Sequence, residues 1–179
     1  MSINTSEIDE RLLLRISDGD QDAFRELYQR TSHAIYGFAL SIVRNKYDAE
    51  NVMHDAYLRI YSNAVSYKPM GKPMAWILTI VKNLCYSRLR EGNICGDISE
   101  YGNLSGGDHS DRTIEQMMLK EALDILAFED RQIVVLHALT GMKHREIAEL
   151  LDMPVGTVLS KYNRALRKMR KEFAGKGEW

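Results

Sequence analysis

The stretch that decides the fold of this chain is HREIAELLDMPVGTVLSKYNRALRKMRK, residues 144–171. From Val155 onward its apolar residues recur at steps of three and four, and its lysines and arginines recur at the same steps. This period places the two kinds of residue on different faces of one helix, with the apolar face toward a core. The apolar positions are Val155, Val158, Tyr162, Ala165, Leu166, Met169 and Phe173.

On its own, a basic helix face is more often a solvated surface than a binding site. The preceding residues change that interpretation. His144 to Leu151 have a shorter amphipathic pattern, and Asp152 to Pro154 are predicted to form a tight turn before the basic helix. This order is typical of a helix-turn-helix, whose second helix enters the DNA major groove. The side chains suited to base edges are Thr157, Ser160, Asn163 and Arg164, and those suited to phosphates are Lys161, Arg167, Lys168 and Lys171.

The segment EDRQIVVLHALTGMKHREIAELLDMPVGTVLSKYNRALRKMR, residues 129–170, resembles the C-terminal domain of bacterial extracytoplasmic-function sigma factors. In that family this domain reads the minus-thirty-five promoter element. Two positions depart from the family pattern. Asp152 stands where Gly is usual, which implies some strain if its φ is positive. Leu159 stands where a basic residue is frequent, which alters one expected DNA contact.

The charge distribution divides the chain into three parts. The net charge is −1, but residues 1–90 carry +2, residues 91–130 carry −8 and residues 131–179 carry +5. Residues 91–112 are rich in Gly, Ser, Asn and Asp and have no helical period, which predicts a flexible acidic linker. No stretch reads as a strand. The sequence therefore predicts an all-α protein with two small helical domains, 1–90 and 113–179, which we expect to move independently.

In the N-terminal half, Asp20 is predicted to cap a second helix and Asp48 to open a third. The third helix contains DAENVMHDAYLRIY, residues 48–61, where apolar Leu58 falls on an otherwise polar outward face, a hint of a binding surface. The phrase resembles the segment by which sigma factors contact the clamp helices of the polymerase beta-prime subunit, although the family usually has Asp at position 51 and Gln at position 54. The polymerase-binding candidates are Asp48, Asn51, His54, Asp55 and Leu58.

A fourth helix, from about Met74 to Arg90, follows the loop SYKPMGKP at residues 66–73. By resemblance, this segment melts and holds the minus-ten element. A melted base needs an aromatic face and hydrogen-bonding groups, and its backbone needs cations. Tyr67 can offer the face, Lys68 and Lys72 can hold phosphates, and Asn83 can bond a base edge. Trp76 lies in an apolar run and is predicted to be core.

Other classes of function have little support in the sequence. No nucleophile motif, acid–base pair, phosphate-binding loop or metal-ligand cluster stands out, so we expect no enzyme activity, cofactor or metal. The absence of an export signal, a membrane-spanning run or a cysteine framework makes the cytoplasm the expected location. The alternative is a helix-turn-helix regulator that acts without joining polymerase. The resemblance, over residues 8–90 and 114–173, instead implies core RNA polymerase (beta-prime clamp helices and beta flap), promoter DNA and an anti-sigma factor as partners, with no small-molecule substrate.

Overall fold

The computed structural model describes residues 8–95 and 123–174, and both ranges are helical. The N-terminal helices are α1 (Glu10–Ser17), α2 (Gln21–Val43), α3 (Lys46–Asn63) and α4 (Pro73–Cys95), with a short 3-10 helix at Ala64–Ser66. The C-terminal helices are α5 (Phe128–Thr140), α6 (His144–Leu151) and α7 (Val155–Ala174). Neither range contains a strand, and the all-α prediction is confirmed.

Short polar side chains set where the N-terminal helices begin. Asp20 caps α2 as predicted, since its carboxylate accepts hydrogen bonds from the N–H groups of Asp22 and Ala23 at 2.9 and 3.0 Å. The beginning of α3 differs from the prediction. Asn45 is the capping residue there, and its side-chain oxygen accepts a hydrogen bond from the Asp48 N–H at 3.1 Å. Asp48 therefore lies inside the first turn, where its negative charge favours the helix N-terminus.

The N-terminal half buries one apolar face from each of its helices. Cys85 is fully buried in this core, and burial raises the pKa of its thiol to about 12. A thiol with that pKa stays protonated and unreactive near neutral pH. Helix α4 continues to Cys95, so the first residues of the predicted linker, 91–95, are helical. The rest of that linker lies outside the described residues. The largest fully buried side chains of this half are Leu13, Leu27, Ile35, Phe38, Ile42, Ile60, Ile77 and Leu78.

The C-terminal half contains the predicted helix-turn-helix. Asp152, in the turn between α6 and α7, has a left-handed φ of 55°, which is the strained geometry anticipated from the missing glycine. The Met153 N–H donates to the Ala148 carbonyl at 2.9 Å and closes the end of α6. Ile147 and Val158 are fully buried where the two helices pack together. Val155, predicted on the apolar face, lies in the first turn of α7 and is exposed.

Helix α5 joins both halves into a shared core. Ile133 and Leu136 are fully buried in the same apolar cluster as the N-terminal helices, whereas Val134 belongs to a second cluster with Ala165 of α7. At Gly37 of α2 the approach is so close that a Cβ would overlap the side chain of Leu139. This packing differs from the expectation of independent halves. The physical reason is that α5 is apolar on two sides, and such a helix is stable only when both are covered.

Candidate functional site

The outward face of α7 presents polar and basic side chains in the predicted order. Ser160, Asn163 and Arg167 are exposed, and Thr157 is half-buried in the first turn. The Ser160 hydroxyl donates to the Gly156 carbonyl at 2.8 Å within the helix. The exposed residues Ser160, Asn163 and Arg167 lie on the side of α7 away from the buried side chains Val158 and Ala165. The face is therefore accessible to a duplex groove while the other face anchors the helix.

Two of the predicted DNA-binding cations form ion pairs with α5. The Arg164 guanidinium donates to both carboxylate oxygens of Asp130, at 2.9 and 2.7 Å. Lys161 pairs with Glu129 and lies 3.9 Å from Asp130. The hydrogen bond to Asp130 raises the pKa of the Arg164 guanidinium above its usual value. In this arrangement Arg164 braces α7 against α5, so a bond to a guanine edge would require it to exchange its partner.

Lys168 is also held within the C-terminal half. Its ammonium donates to the backbone carbonyl of Ile125, in the chain that leads into α5. Arg131 of α5 holds that same segment, with hydrogen bonds of 2.9 Å to the carbonyls of Leu123 and Leu126. The sequence pattern did not indicate Arg131, which is buried. Lys171, one turn beyond Lys168, is exposed.

The loop before α4, residues 67–72, contains three of the candidates for the minus-ten element. Lys68 is exposed. Tyr67 is only 7% exposed, and its ring lies edge-on to Trp76 with centroids 5.1 Å apart. A base could stack on Tyr67 only if the loop moved, which differs from the open aromatic face expected from sequence. Trp76 is partly buried and packs on the core, as predicted.

The helix-turn-helix lies against this loop and against α4. Lys72 forms an ion pair with Glu149 of α6 at 2.7 Å, and this bond raises the pKa of the Lys72 ammonium. Lys82 of α4 donates to the backbone carbonyl of Leu150. Lys82 was not among the predicted site residues, although it neighbours Asn83, which is exposed. The loop cations and the C-terminal half thus meet in the same region.

The outward face of α3 is exposed along most of its length. Asn51, His54, Asp55 and Leu58 are all exposed, as the pattern predicted, and Leu58 retains 58% of its accessible surface. Asp48 is half-buried and accepts a hydrogen bond from Arg88 of α4 at 2.9 Å. A single exposed leucine is common on protein surfaces, whereas a contiguous exposed apolar patch is typical of a protein contact.

Leu58 belongs to an exposed apolar strip that extends beyond the predicted residues to Tyr61 and Val65. Tyr61 and Val65 are exposed and follow Leu58 at steps of three and four, so the three share one side of α3 and the following 3-10 helix. The Tyr61 ring meets Phe24 edge-on with centroids 5.4 Å apart, which fixes its orientation. The spacing of residues 58, 61 and 65 could have revealed this extension from the sequence.

An aromatic cluster joins α5, α6 and α7. His137 and His144 stack with centroids 4.8 Å apart, and Tyr162 meets both rings edge-on at 5.0 and 4.7 Å. The Nδ1 atom of His137 lies 2.9 Å from the Met142 carbonyl, whereas Nε2 of His144 is buried without a hydrogen-bond partner in the described part of the chain. Burial lowers the pKa of His144, and His137 lowers it further. No group of three or more potential metal ligands occurs within residues 8–95 and 123–174.

Comparison with known proteins accounts for both halves. The family model of Sigma-70 region 2 matches residues 27–93, and the model of Sigma-70 region 4 matches residues 116–169. The ECF RNA polymerase sigma factor SigK of Mycolicibacterium vanbaalenii is 27% identical over 176 residues, which cover 93% of this chain and 89% of that protein. The ECF RNA polymerase sigma factor SigW of Bacillus subtilis is 26% identical over 173 residues, covering 88% and 92%.

The chain belongs to the extracytoplasmic-function sigma factors. It directs transcription initiation, and the alternative of a regulator that never joins polymerase is not favoured. The region 2 match includes the α3 face, the loop before α4 and Asn83. The region 4 match includes the helix-turn-helix as far as Lys168.

Solved structures have the same fold. The structure of CnrH in complex with the cytosolic domain of CnrY aligns with a TM-score of 0.68 at 22% identity, over 93% of this sigma factor and 97% of that chain. The sigma factor RpoE of Bartonella quintana, in complex with the anti-sigma factor NepR, also aligns with a TM-score of 0.68, at 21% identity over 83% and 94%. Within the described residues, every helix is too short or too polar to span a bilayer.

Proposed function

We propose that this sigma factor binds core RNA polymerase through the outward face of α3. The observation that carries the proposal is the exposed apolar strip of Leu58, Tyr61 and Val65 inside the region 2 match, in which Leu58 retains 58% of its accessible surface. A few well-packed residues near the centre of a contact supply most of its binding free energy, and the residues around them contribute little. The proposed surface comprises Asp48, Asn51, His54, Asp55 and Leu58, and it extends to Tyr61 and Val65.

The upstream promoter element is assigned to α7, as duplex. Thr157, Ser160 and Asn163 lie toward the start of the helix, where side chains reach base edges, and the cations Lys161, Arg167 and Lys168 suit the phosphates on either side. Because Arg164 is paired with Asp130, its first role in this proposal is to orient α7, and any base contact by Arg164 replaces that pair.

The minus-ten element is assigned to the loop 67–72 and to α4, as melted single strand. Lys68 and Lys72 lie near the two ends of the loop and suit the phosphates of the DNA backbone. Asn83 is exposed on α4, where it can bond a base edge. Tyr67 anchors the start of the loop to α4 through its contact with Trp76. Because Glu149 neutralises Lys72 in this arrangement, we infer that α6 leaves the loop when promoter DNA is bound.

The partners follow from these surfaces. The region 4 half is proposed to contact the polymerase beta flap, and an anti-sigma factor is proposed to restrain the protein, as CnrY and NepR accompany the similar structures. We propose that the protein performs no covalent chemistry and acts in the cytoplasm, where core polymerase is found. Its proposed domains remain 1–90 and 113–179, with the linker 91–112 between them.

Run-off transcription tests this proposal directly. Core RNA polymerase is incubated with a genomic fragment library, with and without the protein, and the transcripts are sequenced. We expect a defined set of start sites that depend on the protein and share two upstream elements. The same start sites without the protein, or none with it, would refute the proposal. Repeating the reaction with Leu58→Glu protein tests the α3 face within the same assay.

A further inference from the structure

One carboxylate oxygen holds the loop before α4 in place. Oε1 of Glu10, in the first turn of α1, accepts hydrogen bonds from the Tyr67 hydroxyl at 2.6 Å, from the Met70 N–H at 2.7 Å and from the Gly71 N–H at 2.6 Å. These donors lie 57 to 61 residues away along the chain. Glu10 also lies outside the region 2 family match, which begins at residue 27.

The sequence of the loop limits which of its backbone groups can bond to Glu10. Pro69 and Pro73 have no N–H to donate. Gly71 has a φ of +70°, a conformation that other residues rarely adopt, although the space beside it is open. The two backbone donors to Glu10 are therefore the N–H of Gly71, where the loop turns, and the N–H of Met70, which precedes it. The three bonds fix the turn between Lys68 and Lys72.

The electrostatics agree with a charged acceptor. The hydrogen bond from Tyr67 is the largest cause that lowers the pKa of Glu10, and the two backbone N–H groups lower it further. Burial, followed by the hydrogen bond to Glu10, raises the pKa of Tyr67 to about 12. At neutral pH the pair therefore consists of an ionised carboxylate and a protonated phenol, which is the stronger form of this hydrogen bond.

We propose that Glu10 is the positioning residue that presets this loop for the melted minus-ten strand. The inference rests on the proposed role of the loop. A loop already held in one conformation binds with less loss of conformational entropy than one that must be ordered by its ligand. Glu10 itself carries the wrong charge to contact phosphate, so it acts through the placement of Lys68 and Lys72.

The test compares two DNA probes on the same holoenzyme. The first is a promoter from the run-off screen, built as a fork with a single-stranded minus-ten element, and the second is its upstream duplex alone. Glu10→Gln and Tyr67→Phe each weaken the network without removing a side chain. Asp18→Asn is the matched control, because it removes one negative charge at the exposed other end of α1.

We expect Glu10→Gln to weaken fork binding by about tenfold, the range for a lost hydrogen bond to a charged group, with a smaller loss for Tyr67→Phe. Affinity for the upstream duplex and for core polymerase should not change. Because Trp76 touches Tyr67, its fluorescence should also shift in both variants and not in Asp18→Asn. Equal losses on both probes, or no loss on the fork, would overturn the inference. A wild-type holoenzyme that bound neither probe would instead refute the proposed function.

Discussion

Arg164 and Asp130 form a two-point ion pair that fastens the basic helix α7 to α5, with bonds of 2.9 and 2.7 Å. The partners differ in their surroundings: the Asp130 side chain is 5% exposed, whereas that of Arg164 is 57% exposed. A buried carboxylate is stable only if its charge is compensated. The main effect of the pair is therefore to compensate the buried charge of Asp130. As a consequence, the pair also fixes the direction in which the Arg164 guanidinium points.

Replacement of Arg164 should lower the Tm of the protein and weaken promoter binding evenly. Among the described residues, Arg164→Ala leaves Asp130 with the more distant cation Lys161, at 3.9 Å. Helix α7 then loses its brace, and every sequence is held less well. Gel-shift titrations of the holoenzyme on single-base variants of the upstream element, together with a thermal unfolding curve, measure both effects. A loss confined to one base position, with an unchanged Tm, would show that Arg164 reads a guanine by exchanging Asp130 for the base.

Lys168→Ala is the comparison variant in the same titrations. Its ammonium contacts a backbone carbonyl rather than a buried acid, so its removal strands no charge. If Lys168 contacts phosphate, all sequences should bind more weakly and the slope of log affinity against log salt should fall by about 0.9. An unchanged slope would assign Lys168 to the folded structure alone.

Leu58→Glu should weaken binding to core polymerase by tenfold or more, because a charge replaces an apolar group at the centre of the proposed contact. Fluorescence competition for core polymerase measures the loss. Leu14→Glu is the matched control, since Leu14 is an exposed leucine on a different helix, α1. Helical circular dichroism should not change in either variant. Equal losses in the two variants would contradict the proposed docking face.

Features that depend on residues close together in the sequence were predicted, whereas contacts between residues far apart in the sequence were not. The helices, the Asp20 cap, the left-handed Asp152 and the exposed Leu58 depend on local periodicity or turn chemistry, and they were predicted. The cap of α3 was misassigned to Asp48 because Asn45 and Asp48 are both plausible caps three residues apart. Tertiary contacts across long stretches of chain left no such signal.

Three such contacts changed the interpretation of the site. Glu10 meets a loop about sixty residues away, Asp130 meets Arg164 across two helices, and Glu149 meets Lys72 across both halves. Each involves a charged residue that reads in the sequence as an ordinary surface position. Four consecutive apolar residues, Ile133 to Leu136, were the sign in the sequence that α5 is covered on two sides.

His144 should make the C-terminal half sensitive to acid. Its folded pKa is lowered by burial and then by His137, so the folded state holds the neutral ring, while the unfolded state takes up a proton near pH 6.5. Stability is therefore full above that pH and decreases as the pH falls below it. Urea unfolding at pH 7.5 and 5.5 should show the loss in the wild type and a smaller one in His144→Gln. His33→Gln, at an exposed position on α2, is the control and should keep the wild-type difference.

Gly37 should decide whether the two halves stay together. An added side chain at Gly37 overlaps Leu139 of α5, so Gly37→Leu should separate α5 from α2 while each half keeps its helices. Small-angle scattering should then give a larger radius of gyration, and protease should cut faster within residues 91–112. Gly156→Ala is the control, because this helical glycine has open space around it and alanine favours the helix. If Gly37→Leu stayed as compact as the control, Leu139 would have moved aside, and the shared core would tolerate side chains that its close approach now excludes.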